Sequence, residues 1–209
     1  SDSLLLIINS PNNPSGTICN NLQEIAEVAK KYKIIILSDE IYSQLNFNGE
    51  YKSISNFYPE GTIVSTGLSK WCGAGGWRMG VALVPRSLGS TFKQALLGIG
   101  SETYSTAAAP VQKAAITAFS DESILTYISH QRSILSALGS WAATTLREAG
   151  IKVHSPEGGF YLFPDFSDLS TQLAPRGITS SQTLCEALFK DKGVVLLPGT
   201  AFGGASEDR

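Results

Sequence analysis

Side chains of several chemistries follow three apolar runs that each predict a short β-strand. An amide follows the first run, a carboxylate and a phenol follow the second, and an amine follows the third. Because ligands of open α/β sheets bind in the crevice at the carboxyl ends of the strands, we expect these groups to line one crevice. The runs are residues 4–8 (ending before Asn9), 34–37 and 62–66, and the groups are Asn13, Asp39 with Tyr42, and Lys70.

A guanidinium joins this set, since Arg78 lies eight positions after Lys70, just beyond the glycine-rich residues 73–76. An amine, a carboxylate, a phenol, an amide and a guanidinium together suit a pyridine-ring aldehyde that carries a phosphate. The amine would form a Schiff base, and the carboxylate would keep the ring nitrogen protonated so that the ring accepts electrons. The phenol and the amide would donate to the ring hydroxyl oxygen, and the guanidinium would pair with the phosphate.

Each of these features alone has a plainer interpretation. The sequence NPSG at 13–16 is ordinary turn chemistry, Asp39 alone resembles a helix cap, and Lys70 alone resembles a surface lysine. Residues 73–76 lack a dinucleotide fingerprint and a Walker lysine-threonine, so nucleotide binding is a distant alternative. Cys72 has no histidine near it in sequence and is interpreted as packing rather than as a nucleophile. The joint order of the groups on consecutive strands carries the interpretation.

The strands that position these groups alternate with helical patterns. Helical spacing of apolar residues at 21–32 predicts a helix between the first two strands, and residues 81–84 predict a fourth strand. This alternation predicts an α/β fold with a doubly wound, mostly parallel sheet whose strands are buried on both faces. We assign residues 1–140 to part of a large domain and residues 141–209 to an incomplete, smaller α/β domain.

The rest of the chain predicts mostly helix and then a return to mixed structure. Residues 91–150 have a helical pattern, with Gly150 as the residue that ends a long helix. The smaller domain is predicted to contain one helix and three short strands. The helix is residues 183–190, and the strands are residues 152–154, 160–163 and 194–197.

Composition excludes several classes of function. The 209 residues are 43% hydrophobic and 16% charged, with a net charge of −2, so neither a nucleic-acid partner nor a membrane is expected. Two histidines and three widely spaced cysteines provide neither a metal cluster nor a disulfide framework. We therefore expect a cytoplasmic protein with no metal site.

Four motifs together resemble the class I/II (fold-type I) aminotransferases that depend on pyridoxal 5′-phosphate, specifically those similar to aspartate aminotransferase. Residues 67–80, GLSKWCGAGGWRMG, resemble the family's cofactor attachment motif. The sequences NPSG at 13–16 and DEIY at 39–42 resemble two upstream motifs, and PGTAFG at 198–203 resembles a downstream one. The resemblance covers essentially the whole chain and makes the large domain the cofactor-binding domain.

The resemblance implies a role for each matching residue. Lys70 would be the Schiff-base lysine and, once displaced by substrate, the base that moves a proton between the substrate and the cofactor. Asp39 would pair with the pyridinium nitrogen. Tyr42 and Asn13 would hydrogen-bond to the ring hydroxyl oxygen.

The phosphate would be held by Arg78, with assistance from Ser69. Some members of the family have serine where this chain has Gly67, so one phosphate contact found in those members is in question here.

The resemblance also implies that this chain is a fragment of a longer protein. Members of the family carry a further phosphate-binding loop and a stacking aromatic residue in an N-terminal part, and they share active sites across a homodimer. The arginine that binds the substrate carboxylate follows the Pro-Gly turn. Arg209 is a candidate for this arginine, although we expect the family's arginine to lie just beyond the end of this chain.

These observations favour transfer of an amino group from an amino acid to a 2-oxo acid. Another enzyme of the same fold is the nearest alternative: a carbon–sulfur lyase, an amino-acid decarboxylase or a cyclopropane-forming synthase. An inactive fragment that acts as an interaction module is an alternative from a different class. The sequence does not identify the amino donor.

Overall fold

A four-stranded sheet forms the centre of the N-terminal part of the chain. The computed structural model describes residues 4–49 and 51–203. Strands β1, β2 and β3 are parallel, and β4 is antiparallel to β3, in the order β1-β2-β3-β4. The predicted α/β fold with a mostly parallel sheet is therefore confirmed. The strands are β1 (Leu5–Asn9), β2 (Ile35–Asp39), β3 (Thr62–Gly67) and β4 (Gly80–Leu83).

The strand register brings the polar residues together at the carboxyl ends of the parallel strands. Asn9, the last residue of β1, is opposite Asp39, the last residue of β2, and Asp39 is opposite Ser65 of β3. Because β4 runs the other way, its first residue, Gly80, is opposite the last residue of β3, Gly67. The loops that follow β1, β2 and β3 thus start from the same edge.

Helix α1 (Leu22–Tyr32) connects β1 to β2 and covers one side of the sheet. Its apolar residues recur at helical spacing, so that they share one face. The helix ends at Lys33, whose left-handed conformation lets its N–H reach the carbonyl of Lys30. The core beneath α1 consists of Leu22, Ala26, Ala29, Ile36, Ile54 and Tyr58.

Strand β1 is less buried than its apolar sequence predicts. The prediction that this strand is buried on both faces is wrong, since Leu5 is 51% exposed and Ile7 is 63% exposed. Among the described residues β1 pairs with β2 alone, so it is an edge strand. An edge position leaves a strand with neighbours on one side only.

Three helices follow the sheet, as the helical pattern predicts. They are α2 (Gly89–Thr103), α3 (Ala109–Ser120) and α4 (Ser123–Glu148). Gly150 has a φ of +81°, and the N–H of Ile151 returns to the carbonyl of Leu146 at 3.0 Å, which ends the helix as predicted.

The C-terminal part contains α5 (Ser170–Leu173) and α6 (Ser181–Lys192). A reciprocal capping box between Ser180 and Thr183 starts α6, which confirms the predicted helix. The three predicted strands in this part are wrong: within residues 151–203, extended pairing is limited to two isolated bridges, Lys152 with Asp165 and Gly158 with Asn46. Apolar runs such as 194–197 form strands only beside a partner strand, and Val195 is 76% exposed.

The chain divides into two compact units. One comprises Ser1–Asn13, Thr17–Ser136 and Glu157–Gly159, and the other comprises Pro14–Gly16, Ala137–Pro156 and Phe160–Arg209. The assignment of residues 1–140 and 141–209 to two domains stays a prediction. Within residues 4–49 and 51–203, no helix combines the length and hydrophobicity that crossing a bilayer requires.

Candidate active site

Asp39 lies at the carboxyl end of β2, and several donors orient its carboxylate. Oδ2 accepts a hydrogen bond from Asn9 Nδ2 at 3.1 Å. Oδ1 accepts from the N–H of Ile41 at 3.3 Å and from Ser65 Oγ at 3.4 Å. These donors come from β1, from β3 and from the turn after β2, so the sheet register itself fixes the direction of the carboxylate.

Asn13 lies in the turn that follows β1, with an exposed side chain. Its N–H donates to Asn9 Oδ1 at 2.7 Å. The turn is closed by the N–H of Asn12, which donates to the carbonyl of Thr17 at 2.9 Å. The structure therefore connects two of the predicted cofactor-binding residues, Asn13 and Asp39, through the side chain of Asn9.

Lys70 and Tyr42 form a second pair. Lys70 Nζ lies 5.7 Å from the centre of the Tyr42 ring, within range of a cation–π interaction. Tyr42 is 4% exposed, and Lys70 is half-buried in the turn that follows β3. The N–H of Gly73 donates to the carbonyl of Lys70 at 3.1 Å, so the turn holds the lysine main chain in place.

Arg78 lies in the loop before β4 with a left-handed backbone, at a φ of +54°. This conformation disfavours residues other than glycine, and such strained positions cluster at functional sites. The exposed guanidinium donates through Nη1 to the carbonyl of Gly75 at 2.8 Å, rather than to another of the predicted site residues. Ser69 is half-buried in the turn after β3, next to Lys70.

Gly67 leaves no space for a side chain. A Cβ atom there would lie 2.5 Å from the carbonyl oxygen of Met79 and 3.2 Å from Gly80 Cα. The close approach of β4 therefore disfavours any side chain at this position, since the backbone would have to shift to accommodate a Cβ atom. This chain therefore has no side chain at position 67 that could contact a phosphate.

Glu40 is a buried acid that the sequence interpretation missed. Its carboxylate accepts hydrogen bonds from Ser38 Oγ at 2.9 Å and from Ser53 Oγ. Burial raises the pKa of Glu40 above its ordinary value, and the two serine hydroxyls oppose that rise. Burial also raises the pKa of Tyr51, and the negative charge of Glu40 adds to the effect.

Two further polar contacts escaped the sequence interpretation. Asn9 and Ser65 both contact the Asp39 carboxylate, and both are opposite Asp39 in the strand register. A correct prediction of the register would have identified them, because residues opposite one another on neighbouring strands share a face of the sheet. The candidate substrate-binding residue Arg209 lies outside the described residues.

The arrangement has the chemistry expected of a site for pyridoxal phosphate. A carboxylate oriented by neutral donors can stabilise a cationic ring nitrogen, and an amine beside a phenol can react with an aldehyde. These groups occupy the carboxyl ends of β2 and β3, where sheets of this class bind ligands.

Comparison with known proteins gives a consistent result. Residues 1–208 match the family model described as aminotransferase class I and II. The chain is 33% identical to an aspartate aminotransferase of Bacillus sp. strain YM-2, over 98% of this chain and 52% of that protein. It is 32% identical to aromatic-amino-acid aminotransferase 2 of Thermococcus litoralis, over 97% of this chain and 50% of that protein.

Solved structures agree with these sequence relatives. The crystal structure of an aromatic aminotransferase from Pyrococcus horikoshii superposes with a TM-score of 0.86 at 29% identity, covering 98% of this chain and 53% of the other. The chain spans about half the length of the curated relatives it matches.

Proposed function

Because the chain belongs to the family of class I and II aminotransferases, we propose that the protein transfers the amino group of an amino acid to a 2-oxo acid with pyridoxal 5′-phosphate as its cofactor. The observation that carries this proposal is the orientation of the Asp39 carboxylate by Asn9 and Ser65 at the edge of the sheet, where Lys70 and Tyr42 also lie. When bound, the cofactor supplies an electron sink for the bonds at the substrate Cα atom.

Lys70 would hold the cofactor covalently through Nζ. The Tyr42 ring beside it limits the directions that the amine can take, since the distance to the ring centre is 5.7 Å. Lys70 would also act as the base that moves a proton at the substrate Cα atom.

Asp39 would face the ring nitrogen and keep it protonated. The carboxylate binds a cationic N–H donor more strongly than a neutral donor. The pyridinium N–H of the cofactor would therefore be its strongest partner. The Tyr42 hydroxyl and the Asn13 amide would donate to the ring oxygen. Arg78, assisted by Ser69, would pair with the phosphate through the guanidinium N–H groups.

The assembled protein is proposed to be a cytoplasmic homodimer. Leu97 and Ile99 on α2 and Ile116 on α3 are each at least 60% exposed. Exposed apolar residues of this kind would be covered by a second subunit. Cys19, Cys72 and Cys185 are all free thiols, which is typical of a reducing compartment.

The experiment that tests this function follows labelled nitrogen from donor to acceptor. Full-length protein loaded with pyridoxal phosphate is given a panel of amino acids that carry heavy nitrogen, together with 2-oxoglutarate. We expect the label in glutamate, and we expect it to be lost in Lys70→Ala and kept in Lys93→Ala, which removes an exposed lysine of α2.

A lyase or a decarboxylase would give a different result. Either enzyme consumes the amino acid equally well without a 2-oxo acid, and it leaves no label in the acceptor. That outcome, or transfer that persists in Lys70→Ala, would contradict the proposed function.

A further inference from the structure

The side chain of Asn9 contacts two residues of the proposed site at the same time. Its Nδ2 donates to Asp39 Oδ2 at 3.1 Å and to the Asp39 carbonyl oxygen at 3.3 Å. Its Oδ1 accepts from the N–H of Asn13 at 2.7 Å. One amide therefore connects the proposed partner of the ring nitrogen to the proposed partner of the ring oxygen.

The chemistry of an amide determines which end faces which partner. A carboxylate only accepts hydrogen bonds, and a main-chain N–H only donates, so the nitrogen end of Asn9 must face Asp39 and its oxygen end must face Asn13. A side chain without both a donor and an acceptor at this spacing cannot make both contacts. The bond to the carboxylate is also the stronger kind, because its acceptor is charged.

The strand register makes this bridge a rigid one. Asn9 and Asp39 are opposite each other at the ends of two parallel strands, β1 and β2. The N–H of Ser10 donates to the Asp39 carbonyl at 3.3 Å and fastens the start of the turn to the end of β2. The Asn9 side chain thus spans from a fixed strand pair to the turn that carries Asn13.

We propose that Asn9 is a positioning residue for the cofactor: its amide sets the direction of the Asp39 carboxylate and the place of the Asn13 turn, so that both reach one pyridine ring. This inference rests on the proposed function and extends it to a residue that does not itself contact the cofactor. Without the bridge, Asp39 Oδ2 loses the Asn9 donor, and the carboxylate is held through Oδ1 by Ile41 and Ser65. The Asn13 N–H loses its acceptor, so the position of Asn13 is no longer linked to that of the carboxylate.

The consequence for a bound cofactor is electronic as well as geometric. A misdirected Asp39 stabilises the protonated ring nitrogen less well, so the ring carries less positive charge. The group that joins Lys70 to the cofactor then binds its proton more tightly, because the ring beside it is less positive. The pH midpoint of the visible absorbance band therefore moves upward when Asn9 is replaced.

The test compares three variants of the full-length protein loaded with pyridoxal phosphate. Asn9→Ala removes both contacts. Asn9→Asp keeps the size of the side chain and the acceptor for Asn13 but places a second carboxylate oxygen against Asp39. Asn46→Ala is the matched control, because Asn46 bridges another turn in the same way: Nδ2 donates to the Gly49 carbonyl, and Oδ1 accepts from the N–H of Asn48.

For each variant, the pH midpoint of the visible band, the rate of cofactor release and the melting temperature are measured. Both Asn9 variants are expected to raise the midpoint by about one pH unit and to weaken cofactor retention by roughly tenfold, as expected for one lost hydrogen bond to a charged group. Asn46→Ala is expected to lower the melting temperature while the midpoint stays at its wild-type value.

Midpoints of the Asn9 variants that match the wild type would overturn the positioning role. If Asn9→Ala does not fold, the isosteric Asn9→Asp decides the question alone. Failure of the proposed function has a different signature, because the wild-type protein then shows no visible band that depends on Lys70.

Discussion

The carboxylates of Asp39 and Glu40 are adjacent in sequence and have opposite surroundings. Asp39 is half-buried at the sheet edge and accepts hydrogen bonds from the Asn9 amide and the Ser65 hydroxyl. Glu40 is 7% exposed, and its carboxylate accepts from the hydroxyls of Ser38 and Ser53. Successive residues of an extended chain face opposite sides, so one acid lies among the proposed site residues and the other is buried.

Replacing Asp39 by asparagine tests the role of its charge. Asp39→Asn keeps the shape of the side chain but removes the negative charge that would hold the ring nitrogen protonated. We expect covalent attachment of pyridoxal phosphate to persist and turnover to fall on the order of a hundredfold or more, as for other single groups that stabilise developing charge. Single-turnover absorbance measurements check this, and wild-type turnover in Asp39→Asn would contradict it.

Glu40 makes the stability of the protein depend on pH in a predictable direction. Burial raises its pKa in the folded state, so the folded protein binds this proton more tightly than the unfolded chain does. Its contribution to the free energy of unfolding is therefore lost as pH rises from the ordinary value of 4.5 through the raised pKa. In Glu40→Gln, which cannot lose a proton, this decline should be absent.

Ser53→Ala is the companion variant for Glu40. The Ser53 hydroxyl opposes the rise in the Glu40 pKa, so its removal should raise that pKa further and steepen the decline. Urea unfolding at a series of pH values from acidic to neutral measures both effects. Parallel stability curves for the wild type and Glu40→Gln would show that the burial of Glu40 has no such effect.

The contact between β3 and β4 should tolerate alanine on one strand and not on the other. A Cβ at Gly67 would lie 2.5 Å from the Met79 carbonyl oxygen, whereas a Cβ at Gly80 would lie 3.7 Å from the Thr66 carbonyl oxygen. We expect Gly67→Ala to lower the free energy of unfolding by roughly 1–3 kcal/mol. Gly80→Ala, directly opposite, should be neutral or slightly stabilising, and equal effects in urea unfolding would contradict this account.

Replacing Arg78 by glycine should change stability and cofactor binding in opposite directions. Arg78 and Lys33 both have left-handed backbones, with φ values of 54° and 55°. Arg78→Gly and Lys33→Gly should each raise stability, by up to about 1 kcal/mol. Only Arg78→Gly should weaken binding of pyridoxal phosphate, by roughly tenfold or more for a lost charge-assisted bond. Equal affinity of the two variants, measured by equilibrium dialysis, would exclude a phosphate role for Arg78.

The sequence alone predicted the strands of the sheet and the polar residues that follow them. The strands after which Asp39 and Lys70 occur are short apolar runs with clear limits, and the helix between them has strong apolar spacing. What the sequence could not provide was the pairing between strands. The Asn9–Asp39 contact depends on which residues are opposite each other, and the steric restriction at Gly67 depends on how closely β4 approaches.

The wrong predictions concern residues whose local sequence indicates one structure and whose surroundings in the fold impose another. Residues 194–197 have the composition of a strand, but a strand exists only when a neighbour satisfies its N–H and C=O groups. Strand β1 has the composition of a buried strand and lies at an edge of the described sheet. Glu40 lies within a recognised motif, but nothing in its immediate sequence distinguishes a buried carboxylate from an exposed one.

The most direct test of the account is to locate the covalent attachment of the cofactor. Full-length protein is incubated with pyridoxal phosphate, reduced with borohydride, digested and analysed by mass spectrometry, with Lys70→Ala and Lys93→Ala treated in parallel. We expect a stable pyridoxyl modification on Lys70 in the wild type and in Lys93→Ala, and no specific modification in Lys70→Ala. Modification of a different lysine, or an unmodified Lys70 in protein that catalyses amino transfer, would contradict it.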